Sequence, residues 1–240
     1  MKQARASAAW LLAALLLVGG AALAVAQEKT DSAPSGAPTD PVGNFLARVL
    51  GSTETEWKSI LARSGQTYVE PRLVLFSGST ASACGPIGPD GNPRYCAQDQ
   101  RIYLDPSIFD RCGDKPPCAF ARAFVIAREV GHHVQNLTGV LAKTEQARRV
   151  AAPDEAAALG QKLELQADCL AGVWAHHADR PNPVFDPGEV LSGLDAALAL
   201  DGSQASPNNE AAAALRKSWF ARGFADGTVA ACDTFARPTP

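Results

Sequence analysis

The chain has 240 residues, 46% hydrophobic and 20% charged, with a formal net charge of -3. That balance is ordinary for a globular protein and gives no electrostatic case for nucleic acid or an anionic membrane surface as partner. The roughly 200 residues after the N-terminal segments can fill one hydrophobic core, which predicts a single domain over 43–240.

Met1 to Gln27 reads MKQARASAAWLLAALLLVGGAALAVAQ. Lys2 and Arg5 precede an uncharged, mostly apolar run from Ala8 to Ala26, and Ala24-Val25-Ala26 fits an A-x-A cleavage site. Residues 1–26 are therefore expected to be an export signal. The run also approaches the roughly 20 residues that span a bilayer, so a retained membrane anchor is the alternative. Either way the rest of the chain is extracytoplasmic (periplasmic, secreted or anchored), and it meets the membrane only through this segment. Residues 27–42 are rich in Pro, Ser, Gly and Asp with no apolar period and read as a flexible linker.

Along the domain, Thr53-Glu54-Thr55-Glu56 has the form of a capping box opening a helix that carries Trp57, Ile60 and Leu61. Leu73 to Phe76 is a short apolar run suited to a buried strand, and Gly85 to Pro93 reads as a loop. Tyr95-Cys96 and Ile102-Tyr103-Leu104 flank the polar Gln98-Asp99-Gln100 as a hairpin would. Asp105-Pro106 caps a short helix, broken between Gly113 and Pro117. Ala119 to Leu137 is the strongest helix, with Phe120, Phe124, Ala127, Val130 or Gly131, and Val134 at spacings of three and four and Gly139 at its end. Further helices are expected from about Asp154 to His177, from Asp186 onward, and from Asn209 to Phe224. The predicted class is α+β, mainly helical, with a small sheet contributed early.

The six cysteines, an even number in an exported chain, point to three disulfides among 15 possible connectivities. Proximity favours Cys84–Cys96 and Cys112–Cys118, leaving Cys169–Cys232 to tie the C-terminus to a central helix. No C-x-x-C pair is present, so a cysteine zinc site is not expected.

The chemistry concentrates in FVIAREVGHHVQN, Phe124 to Asn136. Residues four apart share a helix face, so a zinc-protease helix grips its ion with two histidines at i and i+4. The glutamate after the first histidine serves as general base for the bound water. Here that pair is Arg128 and His132, with Glu129 in the base position. His133 lies about 100° around the helix from His132 and cannot easily share one ion with it. On the next long helix Glu164 and Asp168 share a face, a spacing suited to one carboxylate ligand and one carboxylate that orients a ligand.

The stretches RLVLFSGSTASACG, YCAQDQRIYLD, AFVIAREVGHHVQN, LELQADCLAGVWAHH and SWFARGFADGTVAACDTF occur in order along most of the domain. Together they resemble the bacterial neutral zinc metallopeptidase family. The resemblance implies a zincin fold and a peptide-hydrolysing ancestor. It would make His132 and Glu164 zinc ligands, Glu129 the general base and Asp168 an orienting carboxylate. Two departures stand out. The family's helix reads HEVGHH where this chain has REVGHH. The family's THGTSAQR-like stretch is here SPNNEAAAALR, Ser206 to Arg216, without a histidine.

A guanidinium has no lone pair for a metal and stays charged, so Arg128 cannot be a ligand. The expectation is a zincin-fold pseudopeptidase that binds peptides or envelope proteins, with zinc weak or absent. Arg128 is expected to pair with Glu164, Asp168 or both in the metal's place. A working zinc peptidase with another ligand set, and a purely structural domain, are the alternatives.

Overall fold

The computed structural model describes residues 40–112, 117–178, 185–200 and 209–236. The expected export signal over 1–26, residues 27–39 of the expected linker and the expected break at 113–116 lie outside the described residues.

Helix α1 spans Pro41–Ala62. Asp40 caps it by accepting from the Val42 amide at 3.1 Å, and Pro41 supplies a preset helical φ at the first turn. The helix thus takes in the last two residues of the expected linker. It also overrides the capping box expected at Thr53. Thr53 is a buried mid-helix residue whose hydroxyl donates to the Leu50 carbonyl at 2.7 Å. Leu46, Val49, Thr53, Trp57 and Ile60 form one buried stripe through that point, and the stripe outweighs the local cap signal.

Five short strands follow. β1 (Arg72–Leu75), β4 (Arg94–Cys96) and β5 (Arg101–Leu104) form a sheet in the order β1-β5-β4. β1 runs parallel to β5, and β4 antiparallel to it. β4–β5 is the expected hairpin, with Gln100 at φ 56 in its turn. The loop expected from Gly85 is a correction. β2 (Thr80–Ser82) and β3 (Gly85–Ile87) make a separate two-stranded hairpin that is not hydrogen-bonded to the larger sheet. Three-residue strands containing Pro86 carry no readable alternation. A 3-10 turn, Pro106–Arg111, is capped by Asp105, whose side chain accepts from Ser107.

Helix α2, Pro117–Leu137, is the centre of the domain and is buried on most of its circumference from Phe120 to Val130. α3 spans Val140–Val150, α4 Pro153–His177, α5 Val190–Leu200 and α6 Asn209–Asp226. A 3-10 turn over Pro187–Glu189 leads into α5. α3 has no counterpart in the sequence reading. Only Thr144 is buried along it, so a solvent-facing helix offered no apolar stripe to read.

Phe120 and Phe124 of α2 meet Phe220 of α6 edge-on, with centroids 5.7 and 5.6 Å away. Rings of this size each contribute roughly 1.5–3 kcal/mol by burial. α4 and α6 approach more closely still. A Cβ at Gly172 would overlap the Phe220 carbonyl, and one at Gly223 the Cys169 carbonyl. The crossing therefore demands glycine on both helices. His176 and His177 close it by bonding the Phe224 and Gly227 carbonyls, at 2.6 and 2.8 Å, where α6 ends.

All three disulfides have the expected partners: Cys84–Cys96, Cys112–Cys118 and Cys169–Cys232. The last joins α4 to the 3-10 turn Val229–Cys232, with Cα atoms 5.5 Å apart.

Candidate functional site

Gly131 brings α2 against α4, since a Cβ there would stand 2.9 Å from the Ala167 carbonyl oxygen. This close approach faces Arg128, Glu129 and His132 of α2 toward Glu164 and Asp168 of α4. All five side chains converge.

Arg128 is the hub. Its Nε donates to Asp168 Oδ1 at 3.1 Å, its Nη1 to Glu129 Oε1 at 3.2 Å, and its Nη2 to Glu164. Charge-assisted bonds of this kind are among the strongest a side chain makes. Asp168 is fully buried and also receives Arg216, Nε to Oδ2 at 2.7 Å and Nη2 to Oδ1 at 2.8 Å. The carboxylate thus lies between two guanidiniums.

His132 places Nε2 3.5 Å from Glu164 Oε2 and Nδ1 2.9 Å from Gln135 Oε1. The Gln135 amide nitrogen donates to the Leu163 carbonyl at 2.8 Å and to Gln166 at 3.0 Å, so its oxygen must accept from His132 Nδ1–H. Gln166 donates onward to the Cys232 carbonyl at 2.9 Å. A buried amide chain thus fixes the ring that faces the carboxylates.

Burial works to lower the His132 pKa. The hydrogen bond to Glu164 and the charges of Glu129 and Glu164 outweigh it, and the pKa rises. Glu164 is half-exposed. Its desolvation would raise its pKa, but His132 and then Arg128 hold it well below the usual carboxylate range. Glu129, 4% exposed, behaves oppositely. Burial pushes its pKa up, and His132, Arg128 and the Tyr95 backbone amide offset only part of that.

His133 is not part of this cluster. Its Nε2 donates to the Val69 carbonyl at 2.5 Å, and its Nδ1 accepts from the Tyr95 hydroxyl at 2.9 Å. The Tyr95 oxygen in turn accepts from Asn136 at 2.9 Å. His133 therefore pins β4 to α2, and His176 is committed to the end of α6. Neither is available to the carboxylate cluster.

Beside the cluster lies a cleft of about 580 Å³. The β2–β3 hairpin and β4 form one wall, α3 and the start of α4 the other, and Arg128, Glu129, His132 and Glu164 lie along it. β4 is an edge strand among the described residues, because only β5 pairs with it.

Three participants escaped the sequence reading: Arg216, Gln135 and Gln166. Arg216 ends the stretch that reads as a departure from the family pattern, and its position on α6 gives no hint of an Asp168 partner. Gln135 stands three residues after His132, on the same helix face, which is the one signal that was available.

A zinc ion is the group that the motif calls for, and the donor set does not fit it. Catalytic zinc takes three protein ligands. His132 and Glu164 supply two, and the position four residues before His132 holds a guanidinium, which has no lone pair. Among the described residues no group of three His, Cys, Asp or Glu side chains is placed to hold a metal ion.

Comparison with known proteins agrees with the resemblance in the sequence. The family model described as "Putative neutral zinc metallopeptidase" matches residues 11–235. The protein named Uncharacterized protein YpfJ of Escherichia coli (strain K12) is 35% identical over 210 residues, covering 82% of this chain and 73% of the relative. Uncharacterized protein Rv2575 of Mycobacterium tuberculosis (strain H37Rv) is 33% identical over 207 residues, covering 77% and 68%. No solved structure matches the chain significantly. With nearly its whole length matched, the chain belongs to the neutral zinc metallopeptidase family.

Proposed function

We propose that this chain is an exported pseudopeptidase, a family member that holds extended peptide segments in its cleft without hydrolysing them. One observation carries the reading: the guanidinium of Arg128, which stands where the motif would have its first histidine, is bonded to Glu129, Glu164 and Asp168. The general base position and the carboxylate ligand are both engaged by a fixed positive charge.

The binding half of the ancestral activity survives this change. An extended peptide adds to a sheet edge through main-chain hydrogen bonds, and β4 offers such an edge beside the cleft. Export is supported by the residues 1–26 pattern and by the oxidising compartment that three disulfides require.

The test uses the purified domain with its disulfides intact. Metal content is measured by plasma mass spectrometry, and a library of fluorescent extended peptides is assayed for binding by anisotropy and for cleavage by mass. Binding without cleavage and with substoichiometric zinc is expected. One zinc per chain together with peptide turnover would overturn the proposal.

A further inference from the structure

The Cys84–Cys96 disulfide is the tether of one cleft wall. The β2–β3 hairpin is not paired with the main sheet. Its other attachments are the Ala83 amide, which donates to Asp99 at 3.1 Å, and Ile87, which sits in a small apolar cluster with Cys96 and Tyr103 that Val74 and Phe76 pack against. The remaining polar bonds of the segment are internal to it, such as the Ser82 hydroxyl to the Gly85 carbonyl at 2.7 Å. The disulfide therefore ties the turn between β2 and β3 to β4, the edge strand, and both of its cysteines line the cleft.

The same bond contains the most exposed cysteine of the six. Cys84 is the one exposed cysteine, with its partner Cys96 buried; both cysteines of Cys169–Cys232 are fully buried, and in the remaining pair Cys118 is buried and Cys112 half-buried. Access and thiolate attack set the rate of thiol–disulfide exchange. Position and reactivity thus coincide in one disulfide.

We infer that Cys84–Cys96 is a redox latch on the peptide cleft, opened by an external protein or small-molecule dithiol. A dithiol thiolate attacks the sulfur of Cys84, the exposed residue of the pair, and displaces the Cys96 thiolate. The second thiol of the reductant then attacks the mixed disulfide. The reductant leaves as its own disulfide, two electrons lighter, and Cys84 and Cys96 are left as thiols. The hairpin then keeps the Ala83–Asp99 bond and the small Ile87 cluster but no covalent tie to β4, and that wall loosens. This inference rests on the reading of the cleft as a peptide site, and its structural half is measurable without any peptide.

The experiment titrates the intact exported form with dithiothreitol and alkylates at intervals. Peptide mapping should find Cys84 and Cys96 labelled before the other four cysteines. Hydrogen exchange over residues 80–88 should speed up, while the α2 amides stay protected. Affinity for a peptide that binds the oxidised protein should fall by about tenfold, as expected when a preorganised wall is lost. The Cys84→Ser/Cys96→Ser double variant should reproduce the reduced state, with exchange over 80–88 and peptide affinity unchanged by dithiol at concentrations that leave the other two disulfides intact. Simultaneous reduction of all three pairs would overturn the latch, as would unchanged exchange over 80–88 after selective reduction. If the hairpin loosens as expected but no peptide binds either redox form, the proposed function fails rather than the latch mechanics.

Discussion

Asp168→Asn isolates the charge cluster with almost no change in shape. The native carboxylate has no solvent exposure and accepts three guanidinium hydrogen bonds, one from Arg128 and two from Arg216. The amide keeps one acceptor and turns the other oxygen into a donor pointing at a guanidinium N–H. Both arginines are largely buried, with side chains 16% and 12% exposed, so water cannot replace the lost anion. Breaking a buried pair by removing one partner costs about 3–5 kcal/mol. For a domain of this size each kcal/mol lowers the melting temperature by about 2–4 °C, so a fall of roughly 6–20 °C is expected. Urea unfolding followed by circular dichroism, with disulfides intact, gives the free energy directly. Arg216→Gln should cost less than the sum allows when combined with Asp168→Asn, leaving a coupling of about 1–3 kcal/mol. A loss below about 1 kcal/mol, or strict additivity, would mean that the cluster behaves as a solvated surface pair and holds nothing together.

Glu129→Gln should stabilise the domain at neutral pH. A carboxyl whose folded pKa is raised above its ordinary 4.5 binds its proton more tightly in the folded state, so stability is lost as pH rises through the folded value. The variant and the native protein should converge below pH 4.5, and a variant less stable at pH 7 would contradict the dominance of burial at this site. Gly223→Ala should cost at least about 2 kcal/mol, because the methyl overlaps the Cys169 carbonyl of an adjacent helix that cannot move aside cheaply. Cys169→Ala/Cys232→Ala should lose about 4 kcal/mol by chain entropy for a 63-residue separation, read from unfolding midpoints. Intact mass of the protein recovered after export should place its N-terminus at Gln27 if the segment is a cleaved signal, or at Met1 if it is a retained anchor.

The residues whose role depends on helical spacing were legible from the sequence. Arg128 and His132 four apart, and Glu164 and Asp168 four apart, fix two faces, and two facing helices leave those side chains little choice but to meet. The disulfide partners were legible because two pairs are local in sequence and the third follows by exclusion. What was not legible depended on tertiary contact. Arg216 reaches Asp168 across 48 positions. The Gln135–Gln166 chain joins two helices to a carbonyl near the C-terminus. β2 and β3 are too short for alternation, and α3 faces water, so neither carries a hydrophobic period. The Thr53 box failed for a different reason. Its local chemistry is genuine, but a continuous buried stripe through Thr53 extends the helix back to Asp40.

The close contact of Gly131 with Ala167 makes the cluster a choice between two cations. The helices cannot separate without losing their packing, so the three carboxylates must be compensated where they stand. Two unit charges 4 Å apart interact by about 4 kcal/mol at an effective dielectric of 20, and a divalent ion beside a guanidinium would feel roughly twice that as repulsion. On the proposed reading, guanidinium and zinc compete for the same carboxylates. Substitutions at position 128 separate the two contributions. Arg128→Ala removes the repulsion and adds no ligand, whereas Arg128→His removes it and supplies an imidazole one turn from His132. Zinc affinity measured by competition with a chromophoric chelator should rise from native to Arg128→Ala, and again to Arg128→His. Equal affinities in the two variants would mean that position 128 cannot direct an imidazole at the site. Native protein binding zinc as tightly as Arg128→His would refute the competition itself.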